Sequence, residues 1–249
     1  MTFVPDFKTA RVKSSPNHDE RKSAIDMIVL HYTGMASGEE ALERLTDAAA
    51  KVSSHYLVYE DGGIDQLVPE AQRAWHAGLS SWQGVTDINS CSIGIEIVNP
   101  GHEFGYRDFP DAQIDAVIAL CRDISARRKI PSARVLAHSD IAPARKQDPG
   151  EKFPWARLAA AGVGLWVEPA PVREGTTLKP DDRGPQVAEL QRAFARLGYA
   201  ADITNRYDKA TGEVVAAFQR HFRPARVDGI ADASTVETLG RLINTRPPR

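Results

Sequence analysis

Two histidines stand where apolar runs end. "AIDMIVLHYTG" is apolar up to His31 and closes on Gly34, and "ARVLAHSD" is apolar up to His138. Asp148 lies further on, in the proline-bounded polar loop "APARKQDPG". Taken singly, each histidine favours a structural role. Taken with Asp148 they offer two nitrogens and one oxygen, the donor count of a catalytic zinc whose fourth position is left to water. The short helical HExxH spacing is absent, so the three donors would have to be gathered from separate segments.

Glu96 adds a possible proton carrier. In "SIGIEIV" the strand period of two sends Ile93, Ile95 and Ile97 to one face and Gly94 and Glu96 to the other. That carboxylate is either a solvent-facing residue of a half-exposed sheet or a general base beside a zinc water; the small Gly94 would leave room for substrate. Lys146, two residues before Asp148, is either an ordinary surface lysine or the cation that holds a developing oxyanion. Zinc water, base and oxyanion partner together describe amide hydrolysis. Of the other histidines, His18, His102 and His221 lie in polar or turn-like surroundings and read as solvent-exposed. His55, in "SSHYLVY", reads as a packed sheet residue, and His76, in "AWHAG", suits a cleft wall and a plain turn equally.

The elements that must position these groups follow from periodicity. "AIDMIVLHYTG" is a buried strand, "GEEALERLTDAAAK" a helix with acids at its start, and "SSHYLVYEDGGIDQLVP" two strands about a "DGG" turn. "CSIGIEIVN" is another strand. In "FPDAQIDAVIALCRDISARRK", Ile114, Val117, Ile118, Cys121 and Ile124 recur at helical spacing. "ARVLA" completes the sheet and delivers His138. Both histidine-ended strands are apolar throughout, which places them centrally with neighbouring ends. The fold class is α/β (α+β): a mixed central sheet flanked by helices. The prolines and glycines of "VEPAPVREGTTLKPDDRGP" break all periodicity and mark a linker. Three short amphipathic helices follow, in "PQVAELQRAFARLGY", "KATGEVVAAFQRHF" and "DASTVETLGRLI", and form a small domain on a core of its own.

Composition narrows the function. Thirty-one Lys and Arg against 33 Asp and Glu give a net charge of −2, without the basic field that nucleic-acid binding needs. "RRK" at 127–129 fits the positive C-terminal turn of a helix. No apolar run reaches membrane-spanning length, and the start, "MTFVPDFKTARVKSS", has no apolar leader core. Cys91 and Cys121 sit in apolar patterns that suit free buried thiols.

At this point a resemblance becomes specific. "SPNHDER", "IVLHYTG", "SSHYLVYEDGGIDQLVPE", "AWHAG", "SIGIEIVNPG" and "LAHSDIAPARKQDPGEKFPW" resemble, in order, the zinc-dependent N-acetylmuramoyl-L-alanine amidase family, the type 2 amidases related to peptidoglycan recognition proteins. The resemblance implies a Zn2+ cofactor on His31, His138 and Asp148, a base at Glu96 and a second catalytic residue at Lys146. Tyr32, Trp75, His76 and Asn99 are the substrate-binding candidates. The implied reaction is cleavage between N-acetylmuramic acid and L-alanine in peptidoglycan or muropeptides. The tail resembles a three-helix peptidoglycan-binding module, departing from the commonest pattern at "NRYDKAT". The domains are then 1–167 for the amidase, 168–177 for the linker and 178–249 for the wall-binding module. A chain without a leader suits the cytoplasm, and a wall-binding module suits the cell envelope. Oligomeric state is left open. One rival is a non-catalytic peptidoglycan receptor of the same fold, whose mark would be a missing zinc ligand; all three positions are filled. A hydrolase built on Cys91 is the other, and that thiol lacks the basic neighbours that would activate it.

Overall fold

The computed structural model describes residues 3–173 and 175–245. Met1, Thr2 and 246–249, at the ends of the two expected domains, and Glu174 in the expected linker lie outside the described residues. The chain runs β1 (Arg11–Val12), β2 (His18–Glu20), β3 (Met27–Tyr32), α1 (Gly38–Thr46), β4 (Tyr56–Val58), β5 (Ile64–Gln66) and β6 (Gln72–Ala74). It continues through α2 (Ile88–Cys91), β7 (Ser92–Ile97), α3 (Asp111–Arg128), β8 (Val135–Ala137), α4 (His138–Ile141) and α5 (Trp155–Ala160). Three helices close it: α6 (Pro185–Leu197), α7 (Lys209–Phe222) and α8 (Ala233–Asn244).

The main sheet is mixed, in the order β1-β5-β4-β7-β3-β8, with β4 antiparallel to β5 and the β4-β7-β3-β8 pairs parallel. A parallel strand is covered on both faces, which is why β3 reads as a continuous apolar run up to His31. β8 is the sheet's edge strand, not a central one; it has three residues and pairs only with β3. A second, two-stranded sheet joins β2 to β6 and had no clear signal in the sequence, because three polar residues carry no alternation.

Alternation along the strands separates two cores. Ile28, Leu30, Ile93, Ile95, Ile97 and Val135 face α3 and α5 on one side. Met27, Val29 and Leu136 face the opposite side, where they join Trp82 and the stripes of α6, α7 and α8 in a single cluster. The core that the C-terminal helices form among themselves is therefore continuous with this sheet face, which they cover. The start of the linker is anchored. Ala170 is buried against α8, where its N–H donates to Thr238 Oγ1 at 2.9 Å and its carbonyl accepts from Ser234 Oγ at 2.6 Å. The helices themselves start as their sequences dictate. Ser37, Asp208 and Asp232 cap α1, α7 and α8 by accepting from a backbone N–H three residues on.

Candidate metal centre

β3 and β7 lie side by side with His31 opposite Glu96. Both side chains leave the sheet on the face of Met27 and Val29, at the C-terminal ends of parallel strands, where α/β sheets place their ligand sites. β8 stops at Ala137, so His138 does not end a strand; it opens the single turn of α4. The turn matters because the Ser139 N–H donates to the Asp148 carbonyl at 3.0 Å and so ties the two polar segments together. His31 Nδ1 and His138 Nδ1 are 2.8 Å apart, and Asp148 Oδ2 lies 2.9 Å from the second and 3.2 Å from the first. All three residues are buried, with donor atoms within 4.8 Å of one another.

Their hydrogen bonds decide where the protons are. His138 Nε2 faces the carbonyl of Ala77 at 3.1 Å, which can only accept, so Nε2 carries a proton and the neutral ring presents its Nδ1 lone pair to the cluster. For His31 the assignment runs through a chain. Ser92 Oγ–H donates to the Ile88 carbonyl at 2.6 Å, so its oxygen accepts from His76 Nε2 at 3.1 Å. His76 Nδ1 then accepts from His31 Nε2 at 3.0 Å, and His31 Nδ1 is left without a proton. Burial pulls His31 down to about 4 and keeps it neutral at neutral pH. Two lone pairs and a carboxylate aimed at one another repel unless a cation lies among them. The donor set thus fits a divalent metal such as zinc, with outer partners fixing the imidazole tautomers as in known metal sites.

The "AWHAG" loop serves both imidazoles: His76 orients one and the Ala77 carbonyl the other. Asn89 in α2 fixes the loop, its Oδ1 accepting from the N–H groups of His76 at 3.0 Å and Ala77 at 2.8 Å. Gly94 does not make room for substrate. A Cβ there would lie 2.3 Å from His76 Cγ, so the absent side chain makes room for the histidine.

The cluster lines the floor of a pocket of about 360 Å³ together with Glu96, Lys146, Tyr32 and His76. Glu96 Oε2 is buried without a hydrogen-bond partner. Burial, reinforced by Asp148 and opposed by Lys146, pushes its carboxyl well above the usual range. Tyr32 reaches the pocket wall and pairs its hydroxyl with His102 Nδ1 at 2.9 Å. His102 also lines the pocket and bonds Glu151 at 3.1 Å, so it is not the free surface residue its surroundings suggested. Of the remaining substrate-binding candidates, His76 is buried and spends both ring nitrogens on its neighbours. Asn99 is buried outside the pocket lining; it bonds the Arg107 carbonyl and the Gly101 N–H, which makes it a loop anchor. Trp75 is also absent from the lining. His55 is buried as expected, its Nδ1 accepting from the Gly94 N–H at 3.0 Å. Burial raises the thiol of Cys91, the reverse of activation.

Residues 21–151 match the family model of N-acetylmuramoyl-L-alanine amidases. The chain belongs to this family. Residues 183–239 of the amidase match a second model, a peptidoglycan binding domain. The amidase is 42% identical over 225 residues to the N-acetylmuramoyl-L-alanine amidase AmiD of Escherichia coli, covering 85% of this chain and 79% of that one. The structure of AmiD in complex with anhydro-N-acetylmuramic acid-L-Ala-D-gamma-Glu-L-Lys superposes with a TM-score of 0.76 at 38% identity, covering 91% of this chain and 92% of AmiD. AmpDh3 from Pseudomonas aeruginosa, in complex with an anhydromuramic pentapeptide, superposes at 0.78 with 33% identity and 98% of each chain. The receptor reading falls with these relatives: the amidase is an enzyme.

Proposed function

We propose that the amidase hydrolyses the bond between the lactyl group of N-acetylmuramic acid and L-alanine with a zinc ion on His31, His138 and Asp148, Glu96 as proton carrier and Lys146 as oxyanion partner. One observation carries the reading: two imidazole nitrogens and a carboxylate oxygen converge in a buried cluster lining a pocket. Bound zinc supplies Lewis acidity, which lowers the pKa of a water to about 7 and polarises a carbonyl.

The chain's own groups do the rest. Glu96 accepts the proton of the attacking water as its oxygen bonds to the carbonyl carbon. The carboxyl then returns that proton to the amide nitrogen as the C–N bond breaks, and the second proton of the water passes from the new lactyl carboxylic acid to the released amine, leaving a lactyl carboxylate and the ammonium of L-alanine. An environment that favours the protonated carboxyl suits the interval between the two transfers. Lys146 lines the same pocket, and its ammonium stabilises the carbonyl oxygen as negative charge collects there. The relatives with bound anhydromuramyl peptides support a peptidoglycan-derived substrate. An apolar concavity of about 540 Å³ between α6 and α8 supports a contribution of the C-terminal helices to wall contact.

The test uses zinc-loaded protein and a synthetic N-acetylmuramoyl-L-alanyl peptide, with products resolved by mass spectrometry. Glu96→Gln is expected to lower the rate about 10²- to 10⁴-fold with metal content unchanged. Lys146→Ala should cost about 3 kcal/mol of transition-state stabilisation. Full activity in metal-free protein, or a wild-type rate in Glu96→Gln, would overturn the assignment.

A further inference from the structure

Asp140 is the third residue of α4, two positions after His138, and it is almost completely buried. Its carboxylate has three donors. The Ala137 N–H, on the peptide that leads into His138, reaches Oδ2 at 2.9 Å. The other two come from the C-terminal helical layer: Tyr199 Oη donates to Oδ1 at 2.7 Å, and His221 Nδ1 meets Oδ2 at 2.7 Å. Both reach across the boundary from well-packed positions. His221 lies on α7, stacked on the Trp155 ring at 3.7 Å and on Phe222 at 3.8 Å, and its Nε2 has no partner. Tyr199 follows α6 and packs edge-on against Trp82 at 5.0 Å.

A four-residue helix has almost no stability of its own, since nucleation costs more than one turn of hydrogen bonds returns. The α4 turn ends on the bond from the Ala142 N–H to the His138 carbonyl. Its geometry is therefore set by what grips it from outside, and the grip falls on Asp140. Arg220, next to His221, adds a long contact to Gln147 at 3.4 Å, between Lys146 and Asp148.

We infer that Tyr199 and His221 of the C-terminal layer are positioning residues for the metal ligand His138, acting through Asp140. The part of the chain that resembles a wall-binding module is then also a structural part of the metal centre. This rests on the assignment of His138 as a ligand.

The experiment keeps the full chain and compares Tyr199→Phe, His221→Leu and His221→Asn. Asn puts an amide N–H near the place of Nδ1. Gln191→Leu serves as control, since it breaks a buried hydrogen-bond cluster inside the helical layer, on Thr204, Arg206 and Thr211, that does not include Asp140. Zinc affinity by chelator competition and the visible spectrum of the cobalt(II)-loaded protein are read alongside kcat and KM on a soluble muropeptide. Tyr199→Phe and His221→Leu should each weaken metal binding about tenfold, the low end of outer-shell effects. They should also shift the cobalt bands and lower kcat with KM nearly unchanged. His221→Asn should recover most of the affinity, and Gln191→Leu should keep it. Tyr199→Phe deletes a single oxygen and carries the test if His221→Leu does not fold. Wild-type affinity and cobalt bands in folded Tyr199→Phe, or an equal loss in Gln191→Leu, would overturn the inference while leaving the metal site standing. Wild-type protein that binds no metal would overturn both.

Discussion

Replacing His76 isolates the mechanism that prepares His31. In His76→Leu the Nε2–H of His31, in a ring only 1% exposed, loses its acceptor. A buried donor left unsatisfied costs about 1–3 kcal/mol. His31 can avoid that cost by moving its proton to Nδ1, where Asp148 Oδ2 lies 3.2 Å away. The metal-competent tautomer is then disfavoured by a comparable amount, and apparent affinity falls in proportion to its population. One to three kcal/mol corresponds to about 5- to 150-fold, which brackets the 10- to 100-fold typical of outer-shell substitutions. We expect a loss of tens of fold in zinc affinity, measured by competition with a colorimetric chelator. His76→Asn returns an oxygen acceptor near Nδ1 and should restore most of it. Gly94→Ala, whose Cβ would collide with the His76 ring, should reproduce the loss from the neighbouring strand. Unchanged affinity in His76→Leu, or no recovery in His76→Asn, would refute the tautomer chain.

Two further outcomes follow from the packing. Burial opposes ionisation of Glu70, but hydrogen bonds from Arg127, Arg128 and Tyr56 outweigh it and bring its carboxyl from 4.5 down to about 2. A carboxyl depressed on folding contributes stability that is complete above about pH 4.5 and lost as pH falls through 2. Glu70→Gln should therefore flatten the urea midpoint across that window, and an unchanged pH slope would count against it. A chain ending at residue 167 exposes the sheet face of Met27, Val29 and Leu136 and should lose its cooperative thermal transition. A cooperative melt with the full-length rate on soluble muropeptide would mean that this face needs no cover.

Local pattern determined much of this protein. Apolar runs ended at His31 and just before His138, the alternation of "SIGIEIV" put Glu96 on the face opposite the isoleucines, and the stripes of α6 and α7 and that of α3, apart from the half-buried Ile118, are buried as their spacing requires. These are properties of periodicity, which sequence carries directly. The long ordered set of motifs likewise carried the family. What tertiary structure alone decided is which side chain meets which across the fold. His76, Asn89 and Ser92 orient the ligands through hydrogen bonds whose partners lie up to 45 residues apart. No sequence period distinguishes them from a turn histidine or a helix-end polar residue. Arg127 and Arg128 looked like a helix terminus and also clasp the buried Glu70. His221, polar by its surroundings in the chain, is buried 81 residues from Asp140, and the core of the three C-terminal helices is continuous with the sheet face they cover. The physical reason is the same in each case: periodicity reports which face of an element is buried, while the partner that buries it is a property of the assembled fold.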